Sequence, residues 1–244
     1  APRHTGKAAH ELGLRFFFCA GEGGGGNADT RHALAEGFGA RVYDHTGGGH
    51  AFHGISCEHA DEVEGAMHFV SEDHCLLELV DPKDRTPIPL AEGAIGEMVF
   101  TFLDWRGGPF MRYALGDSLQ VWTSPCVCGK PGIRFKILGR SDDMLTVKGV
   151  NVYPQAIAAV IARFRPQLTG VFRIRLDRPG PLVKPPLRLR VEHAGLEASD
   201  LAALEDRLVA EFRERLHVRP QFEWLAPGAL PREAGKTQLI EVVH

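Results

Sequence analysis

Sulfur and imidazole groups that could bind a metal are the most prominent chemical feature of this sequence. Cys126 and Cys128 form a Cys-x-Cys pair followed by a glycine, and Cys57 and His68 lie upstream of it. Three thiolates and one imidazole satisfy a tetrahedral Zn²⁺ ion, and a closed set of four ligands leaves no open position for catalysis. The pattern therefore predicts a structural zinc site, although free cysteines are also common as ordinary core residues.

Composition narrows the classes of protein to which the chain can belong. Hydrophobic residues make up 44% of its 244 residues and charged residues 24%, which is typical of a globular domain. The net charge of −3 favours neither a nucleic acid nor a membrane as partner, and no apolar run reaches the roughly 18 residues of a transmembrane helix. Five cysteines, an odd number, argue against a disulfide scaffold and favour a cytoplasmic location.

The elements that position these groups can be predicted from periodicity. The apolar run Arg15–Ala20 predicts a buried strand, and after a glycine-rich stretch Asp29–Phe38 has helical spacing with Asp29 as its cap. Arg41–Tyr43 is a second strand, and this order predicts a parallel α/β layer. Two further strands are expected in the first half: Leu76–Val80 and Glu97–Phe102.

After residue 140 the pattern changes to that of a small α+β domain. Pro154 marks the start of a helix. Apolar residues then recur at helical spacing: Ile157, Val160, Ile161 and Phe164. Leu201–Leu216 is a second amphipathic helix. The other predicted elements are strands at Phe172–Leu176, Leu187–Val191 and Gln221–Leu225, with a proline-rich loop at Pro179–Pro186. The chain is therefore divided into two domains, 1–140 and 141–244.

Seven short segments, taken in order along the chain, carry a family resemblance. The two most specific are Gly139–Leu145 and Lys148–Pro154. The others are Gly21–Gly23, Val42–Gly47, Glu92–Glu97, Arg112–Asp117 and Gly235-Lys236. Each segment alone is a weak signal, but together they resemble the C-terminal portion of the adenylate-forming acid–CoA ligases, in the phenylacetate–CoA ligase branch.

The resemblance implies a fold and a reaction. The fold is α/β and comprises the C-terminal part of a large domain, with mixed sheets and helices, plus a small mobile α+β domain. Ligases of this family join a carboxylate to the α-phosphate of ATP, release pyrophosphate, and let a thiol displace AMP. The ligands implied are ATP with Mg²⁺, CoA and a small carboxylic acid, expected to be an aryl acid. A homodimer is the assembly that the resemblance suggests.

The resemblance also assigns residues to the nucleotide and to catalysis. Asp117 is expected to accept hydrogen bonds from the ribose hydroxyls, and Arg140 is expected to reach the ribose or a phosphate. The full nucleotide-binding set is Gly21, Glu22, Gly23, Tyr43, Asp44, His45, Asp117 and Arg140. Lys236 is the expected catalytic residue, because its charge would stabilise the transition state between the carboxylate and the α-phosphate.

Movement, thiol entry and metal binding account for the remaining assignments. Asp142 matches the hinge about which the small domain rotates in the family, and Lys148-Gly149 matches the stretch that lines the path of the thiol. Some relatives carry a similar Cys…His…Cys-x-Cys set, with a shorter upstream spacing than this chain has. Three further residues are therefore kept as reserve ligands: His59, His74 and Cys75.

Two departures from the family keep a second function open. The Ser/Thr/Gly-rich phosphate loop that ends in Lys is not found, because the glycines at 23–26 have no Lys after them. Gly49 and His50 stand where the family has a Ser/Thr–Glu pair, and a neutral His is a poor ligand for Mg²⁺. The sequence is thus expected to be either part of an active ligase or a non-catalytic, zinc-containing relative that binds a ligand or partner.

Overall fold

The computed structural model describes residues 6–21, 25–47, 54–60, 62–63, 65–107, 110–231 and 238–243. Contacts divide the chain into two compact units, Ala1–Ser141 and Asp142–His244, called unit 1 and unit 2 below. Within the described ranges, no helix has the length and apolar character needed to cross a membrane.

Unit 1 is built on one mixed sheet. Its helices are a short 3-10 helix, Ala9–Leu12, and helix α1, Ala28–Phe38. The strands that the structure describes are β1 Phe16–Ala20, β2 Arg41–Thr46, β3 Gly54–Ile55, β4 Met67–Phe69, β5 Cys75–Val80, β6 Pro87–Ile88, β7 Ile95–Phe102, β8 Tyr113–Trp122 and β9 Arg134–Arg140. They follow the order β1-β2-β3-β4-β9-β8-β7-β5-β6 across the sheet.

The β1–α1–β2 segment forms the parallel layer that the sequence predicts. β1 and β2 are parallel, with Phe16 opposite Arg41, and α1 connects them. The helix begins one residue earlier than expected, and its cap is Asn27 rather than Asp29. The reason is that the Asn27 side-chain oxygen accepts a hydrogen bond from the Thr30 amide at 2.9 Å, which satisfies one of the free donors of the first turn.

The remaining strands of unit 1 pair antiparallel, and they enclose its core. The predicted strands at Leu76–Val80 and Glu97–Phe102 are confirmed as β5 and β7, which pair from Cys75–Phe102 to Val80–Glu97. The largest fully buried side chains of this core are Leu79, Met98, Phe100, Leu119 and Phe135. This packed sheet supports the turns that carry the candidate functional residues.

Unit 2 combines two helices with two small sheets. The helices are α2, Pro154–Ala162, and α3, Ala198–Leu216. The strands are β10 Leu145–Val147, β11 Val150–Val152, β12 Leu168–Leu176, β13 Leu182–Val183, β14 Leu187–His193, β15 Pro220–Leu225 and β16 Ile240–Val242. One sheet has the order β11-β10-β13, and the other has the order β15-β14-β12-β16.

Both helices of unit 2 confirm their predicted amphipathic pattern. Pro154 occupies the first turn of α2, where its missing N–H costs no helical hydrogen bond. Apolar side chains at helical spacing enter the core: Ile157, Val160 and Ile161 from α2, and Leu204, Leu208 and Phe212 from α3. Burial of these side chains against β12 and β14 stabilises the unit, at about 1.5–3 kcal/mol for each large side chain.

Two details of unit 2 differ from the sequence-based expectation. The loop predicted at Pro179–Pro186 contains strand β13, because β10 offers it a parallel edge and the Thr146 amide donates to Pro181 O at 2.7 Å. Arg173 alternates with the apolar residues Phe172 and Ile174, a pattern that predicts an exposed position, but it is only 5% exposed. Its guanidinium donates to the carbonyl oxygens of Phe172 at 2.9 Å and Pro231 at 3.1 Å, which compensates for its burial.

Candidate nucleotide site and metal-binding cluster

Strand pairing brings together the four residues that the sequence proposes as metal ligands. His68 lies in β4, which pairs with β3 on one side and with β9 on the other. Cys57 follows β3, and its carbonyl accepts from the Ala60 amide in a turn. Cys126 and Cys128 lie in the tight turn between β8 and β9. Residues that are far apart in sequence therefore meet near the ends of neighbouring interior strands of the sheet.

The geometry of this Cys–His cluster fits a tetrahedral metal. The four ligand atoms all lie within 4.8 Å of one another, and three of the four residues are buried. Cys57 Sγ and Cys126 Sγ are 3.8 Å apart, and ideal Zn–S bonds of about 2.3 Å place two sulfurs about 3.8 Å apart. Cys128 Sγ lies 3.3 Å from His68 Nε2, slightly inside the corresponding sulfur–nitrogen distance of about 3.6 Å.

The surroundings of the cluster shift the pKa values of its members in different directions. Burial raises the pKa of the Cys57 thiol to about 11. Burial also acts to raise the pKa of Cys126, but hydrogen bonds from Cys128 outweigh it and the net pKa shift is downward. Burial, and then the charges of Lys130 and Arg134, lower the pKa of His68, so its imidazole is held in the neutral form that binds metals.

The reserve ligands have other partners. His74 Nδ1 lies 3.0 Å from Asp104 Oδ2, and His59 Nδ1 lies 3.5 Å from Glu62 Oε1. Cys75 is 1% exposed and packs in the core of unit 1. None of the three joins the Cys–His group that could hold a metal ion among the described residues.

Two further predicted residues meet where the last residue of β9 pairs with the middle of β8. Asp117 in β8 is directly opposite Arg140 in β9. Arg140 Nη1 donates to Leu115 O at 3.1 Å, and Gly116 beside it has a φ of 82°. A Cβ at position 116 would lie 2.8 Å from Arg140 Nη2, and the positive φ is one that other residues rarely adopt, so glycine is strongly favoured here.

Glu97 and Ser141 support this pair; both lie in segments that resemble the family, but neither was assigned a role here from the sequence. Ser141 Oγ donates to Glu97 Oε2 at 3.0 Å, and the Ser141 amide donates to Gly116 O at 2.7 Å. Glu97 is 6% exposed and also accepts from Arg85 Nη1 at 2.7 Å. A Glu within an apolar strand is the one signal that could have revealed this support, because a buried carboxylate needs partners.

The predicted adenine-side residues lie around β1, α1 and β2. Gly21 follows β1 with a φ of 79°, while Glu22 and Gly23 lie outside the described residues. Asp44 in β2 is 9% exposed, and burial raises the pKa of its carboxyl to about 6. The His45 amide donates to Asp44 Oδ1 at 3.1 Å, which partly opposes that upward pKa shift. These residues therefore lie at the same end of the parallel pair β1–β2.

Tyr43 presents an aromatic surface beside them. Its ring stacks on Phe18 of β1, with ring centroids 5.6 Å apart, and its hydroxyl lies 3.3 Å from Glu58 Oε1. The expectation that this strand is buried was wrong, because its alternate side chains face outward and Phe18 is 58% exposed. The stacked pair therefore forms an apolar face at the surface of unit 1. An aromatic face of this kind can stack with a planar base.

The other predicted residues are placed as follows. Asp142 is the first residue of unit 2. Lys148 and Gly149, with φ values of 50° and 85°, form the two-residue turn that joins β10 to β11, and a Cβ on Gly149 would meet nothing within 4 Å. Lys236, Gly49 and His50 lie outside the described residues.

Comparison with known proteins identifies the family. Residues 149–241 match the family model of the AMP-binding enzyme C-terminal domain. The chain is 35% identical over 197 residues to the phenylacetate-coenzyme A ligase of Thermus thermophilus, a match that covers 75% of this chain. The chain belongs to the adenylate-forming ligases, in the phenylacetate–CoA ligase branch. It corresponds to their C-terminal portion.

Other relatives agree with this placement. The phenylacetate-coenzyme A ligase of Escherichia coli K12 is 28% identical over 185 residues, covering 75% of this chain and 41% of that ligase. A crystal structure of 2-hydroxyisobutyryl-CoA ligase with a bound acyl-AMP superposes with a TM-score of 0.81 at 25% identity, covering 99% of this chain and 51% of that one. Against the Thermus ligase the chain spans 43% of the length, less than half of that relative.

Proposed function

We propose that this adenylate-forming chain takes part in the ATP-dependent activation of a carboxylic acid to an acyl-adenylate, followed by transfer of the acyl group to the thiol of CoA. The observation that carries the proposal is the pairing of Asp117 with Arg140 beside Ser141, where an acceptor and a donor for a nucleotide lie side by side. The relatives are named as ligases of phenylacetate and of 2-hydroxyisobutyrate with coenzyme A, which supports the same reaction class.

We propose that one nucleotide contacts two groups of residues on unit 1. Asp117 accepts from the two ribose hydroxyls and Arg140 donates to the ribose or a phosphate, because a fixed carboxylate and guanidinium form strong charge-assisted hydrogen bonds. Tyr43 stacks with the base near Asp44 and His45. Gly21, with Glu22 and Gly23, supplies the loop on the adenine side.

Activation and transfer are proposed to use the second unit. Lys236 neutralises the charge that develops between the attacking carboxylate and the α-phosphate, and it is the catalytic residue of the adenylation step. Asp142 is the hinge for the change between adenylation and thioester formation. The turn at Lys148 and Gly149 lines the path of the thiol, because the space beside Gly149 is open.

A structural Zn²⁺ ion is proposed for the Cys–His cluster. Cys57, Cys126 and Cys128 would supply thiolates and His68 would supply Nε2, and the distances between these atoms fit the tetrahedral arrangement. When bound, the ion cross-links the turn after β3, strand β4 and the β8–β9 turn. Four protein ligands leave no position for a substrate, so the role is stability rather than catalysis.

The acid is proposed to be an aryl acid, because the relatives at 35% and 31% identity are named as phenylacetate-coenzyme A ligases. A homodimer is the proposed assembly, and it rests on the resemblance alone.

The test of the function is acid-dependent exchange of labelled pyrophosphate into ATP, measured with a panel of aryl and alkyl acids, together with calorimetric titration of the chain with AMP. Exchange with one acid class would identify the substrate.

Two results would separate the proposal from its rival. AMP binding together with acid-dependent exchange supports the ligase function. If the folded, zinc-loaded protein binds no AMP and catalyses no exchange with any acid, the ligase proposal is wrong and the non-catalytic relative is the better description. The first substitution to make would then be His50→Glu, since His50 replaces the family's Mg²⁺-binding Glu.

A further inference from the structure

Arg31 is a buried cation in a position that the proposed reaction does not use. It lies in the first turns of α1 and is 7% exposed, and it is the buried residue of that helix within the part of the chain that the structure describes. A guanidinium taken out of water is costly unless polar groups surround it. Its placement in the protein interior therefore calls for a specific set of partners.

The partners of Arg31 belong to the glycine-rich loop and to the two parallel strands. Arg31 Nη1 donates to Gly25 O at 3.2 Å. Its charge also acts on β1 and β2, where it lowers the pKa of Cys19 and of Asp44 against the larger, raising effect of burial on each. One side chain thus connects the loop, the thiol at the end of β1 and the buried carboxyl of β2.

Gly25 is held closely between the same two strands. A Cβ added at Gly25 would lie 2.5 Å from Cys19 Cβ and 2.7 Å from Asp44 Oδ1, so no other residue fits without displacing one of them. On the other side of the loop, a Cβ on Gly65 would lie 2.9 Å from Gly26 O. The backbone at positions 25 and 26 is therefore packed from two directions.

We propose that Arg31 is a positioning residue for the nucleotide: it holds the backbone at Gly25 against Asp44, and so fixes the Asp44–His45 segment that is proposed to lie beside the nucleotide. This proposal rests on the proposed nucleotide-binding function. Arg31 itself does not contact the nucleotide. A fixed loop lowers the cost of ordering the backbone when a ligand binds, which is the physical basis of its effect on affinity.

Two substitutions at Arg31 separate the effect of its charge from that of its hydrogen bond to Gly25. Arg31→Gln removes the charge and the reach of the guanidinium. Arg31→Lys keeps the charge but loses the planar donor group that holds the Gly25 carbonyl. Arg213→Gln is the matched control, because Arg213 is an exposed residue of α3 and its loss removes the same charge.

Three measurements on the full chain are needed: hydrogen exchange of the Gly25 and Gly26 amides, NMR titration of the Asp44 carboxyl, and AMP affinity. The groups that face Asp44 are Arg31, Cys19 and Ser56. We expect Arg31→Gln to speed exchange at Gly25 at least tenfold, to shift the Asp44 titration to higher pH, and to weaken AMP binding about tenfold. Arg31→Lys should speed exchange but leave the Asp44 titration near that of the wild type.

The outcomes are distinguishable from failure of the proposed function. If the wild type binds no AMP, the nucleotide-binding proposal is wrong, while exchange at Gly25 and the Asp44 titration still decide whether Arg31 positions the loop. If Arg31→Gln matches Arg213→Gln in both of those readouts, the positioning role is overturned. If Arg31→Gln does not fold, Arg31→Lys decides through the exchange rates: unchanged exchange at Gly25 would overturn the proposal.

Discussion

Asp117 lies directly opposite Arg140 in the antiparallel pairing of β8 and β9, one residue before Ser141 closes the strand end by donating to Gly116 O at 2.7 Å. The pairing places two residues that are predicted to bind the nucleotide next to the last residue of unit 1. Strand pairing fixes the backbone of both residues, and the hydrogen bond to Leu115 O holds the Arg140 side chain. Such preorganisation increases affinity by reducing the cost of binding.

Replacement of Asp117 with Asn tests this pair. Asn keeps the shape of the side chain but removes the charge that strengthens hydrogen bonds from the ribose hydroxyls, a contribution of about 1.5–3 kcal/mol. We therefore expect AMP to bind about ten to a hundred times more weakly, as measured by calorimetric titration. Asp206→Asn, at an exposed position in α3, is the control and should leave the affinity unchanged. Equal affinities in the two variants would remove Asp117 from the site.

The metal proposal predicts a loss of both zinc and stability in Cys126→Ser. Zinc content, measured by mass spectrometry on the purified protein, should fall from one ion per chain to well below half. A serine oxygen replaces a thiolate in this variant, and the cross-link between the β8–β9 turn and β4 is weakened. A loss of about 2–3 kcal/mol should lower the Tm of unit 1 by roughly 4–12 °C.

Cys75→Ala is the matched control for this prediction. Cys75 is buried in the core of unit 1 and lies outside the metal-binding group. The variant should lose stability, because it leaves a small cavity, but it should keep one zinc per chain. Stoichiometric zinc in Cys126→Ser, or loss of zinc in Cys75→Ala, would contradict the assigned set of ligands.

The Cys–His cluster shows how much of a candidate site can be predicted from the sequence. The residue types and the Cys-x-Cys spacing were sufficient to choose Cys57, His68, Cys126 and Cys128, which the structure brings together. They were not sufficient to exclude His74, because its pairing with Asp104 depends on a tertiary contact 30 positions away in sequence. Spacing indicates which ligands a turn can present, whereas the pairing of distant strands decides which of them meet.

The fold shows the same division between local and tertiary information. The helices α2 and α3 could be predicted from the sequence because each buries one face, which places apolar residues at regular intervals. Neither the short strand β13 nor the burial of Arg173 could be predicted, because each depends on a partner from a distant part of the chain. Arg31 was missed for that reason as well, since its partner Gly25 lies in a glycine run whose contacts the sequence does not reveal.

The buried carboxyl of Asp44 predicts a dependence of stability on pH. Burial raises its pKa from 3.8 to about 6, so the folded protein binds this proton more tightly than the unfolded chain does. The protonated carboxyl therefore contributes stability below about pH 4, and this contribution is lost as the pH rises through 6. The pKa difference of about two units corresponds to about 3 kcal/mol of unfolding free energy.

Denaturant unfolding at pH 4, 5 and 6 can measure this contribution. The difference in unfolding free energy between the wild type and Asp44→Asn should change by about 2 kcal/mol over this range, with the wild type losing more stability as the pH rises. Asp206→Asn serves as the control, and its difference from the wild type should stay constant within about 0.5 kcal/mol. Parallel curves for the wild type and Asp44→Asn would contradict the raised pKa.

Lys236→Ala tests the division of labour between the two half-reactions. If Lys236 stabilises the charge between the carboxylate and the α-phosphate, its removal should lower acid-dependent pyrophosphate exchange by about a hundredfold or more. Formation of the thioester from a supplied acyl-adenylate and CoA should be nearly unchanged, because that step no longer involves the α-phosphate of ATP as an electrophile. Lys184→Ala, at an exposed position in unit 2, should affect neither step. An equal loss of both half-reactions in Lys236→Ala would show that the residue supports the fold or binds AMP generally, and it would remove the specific catalytic role.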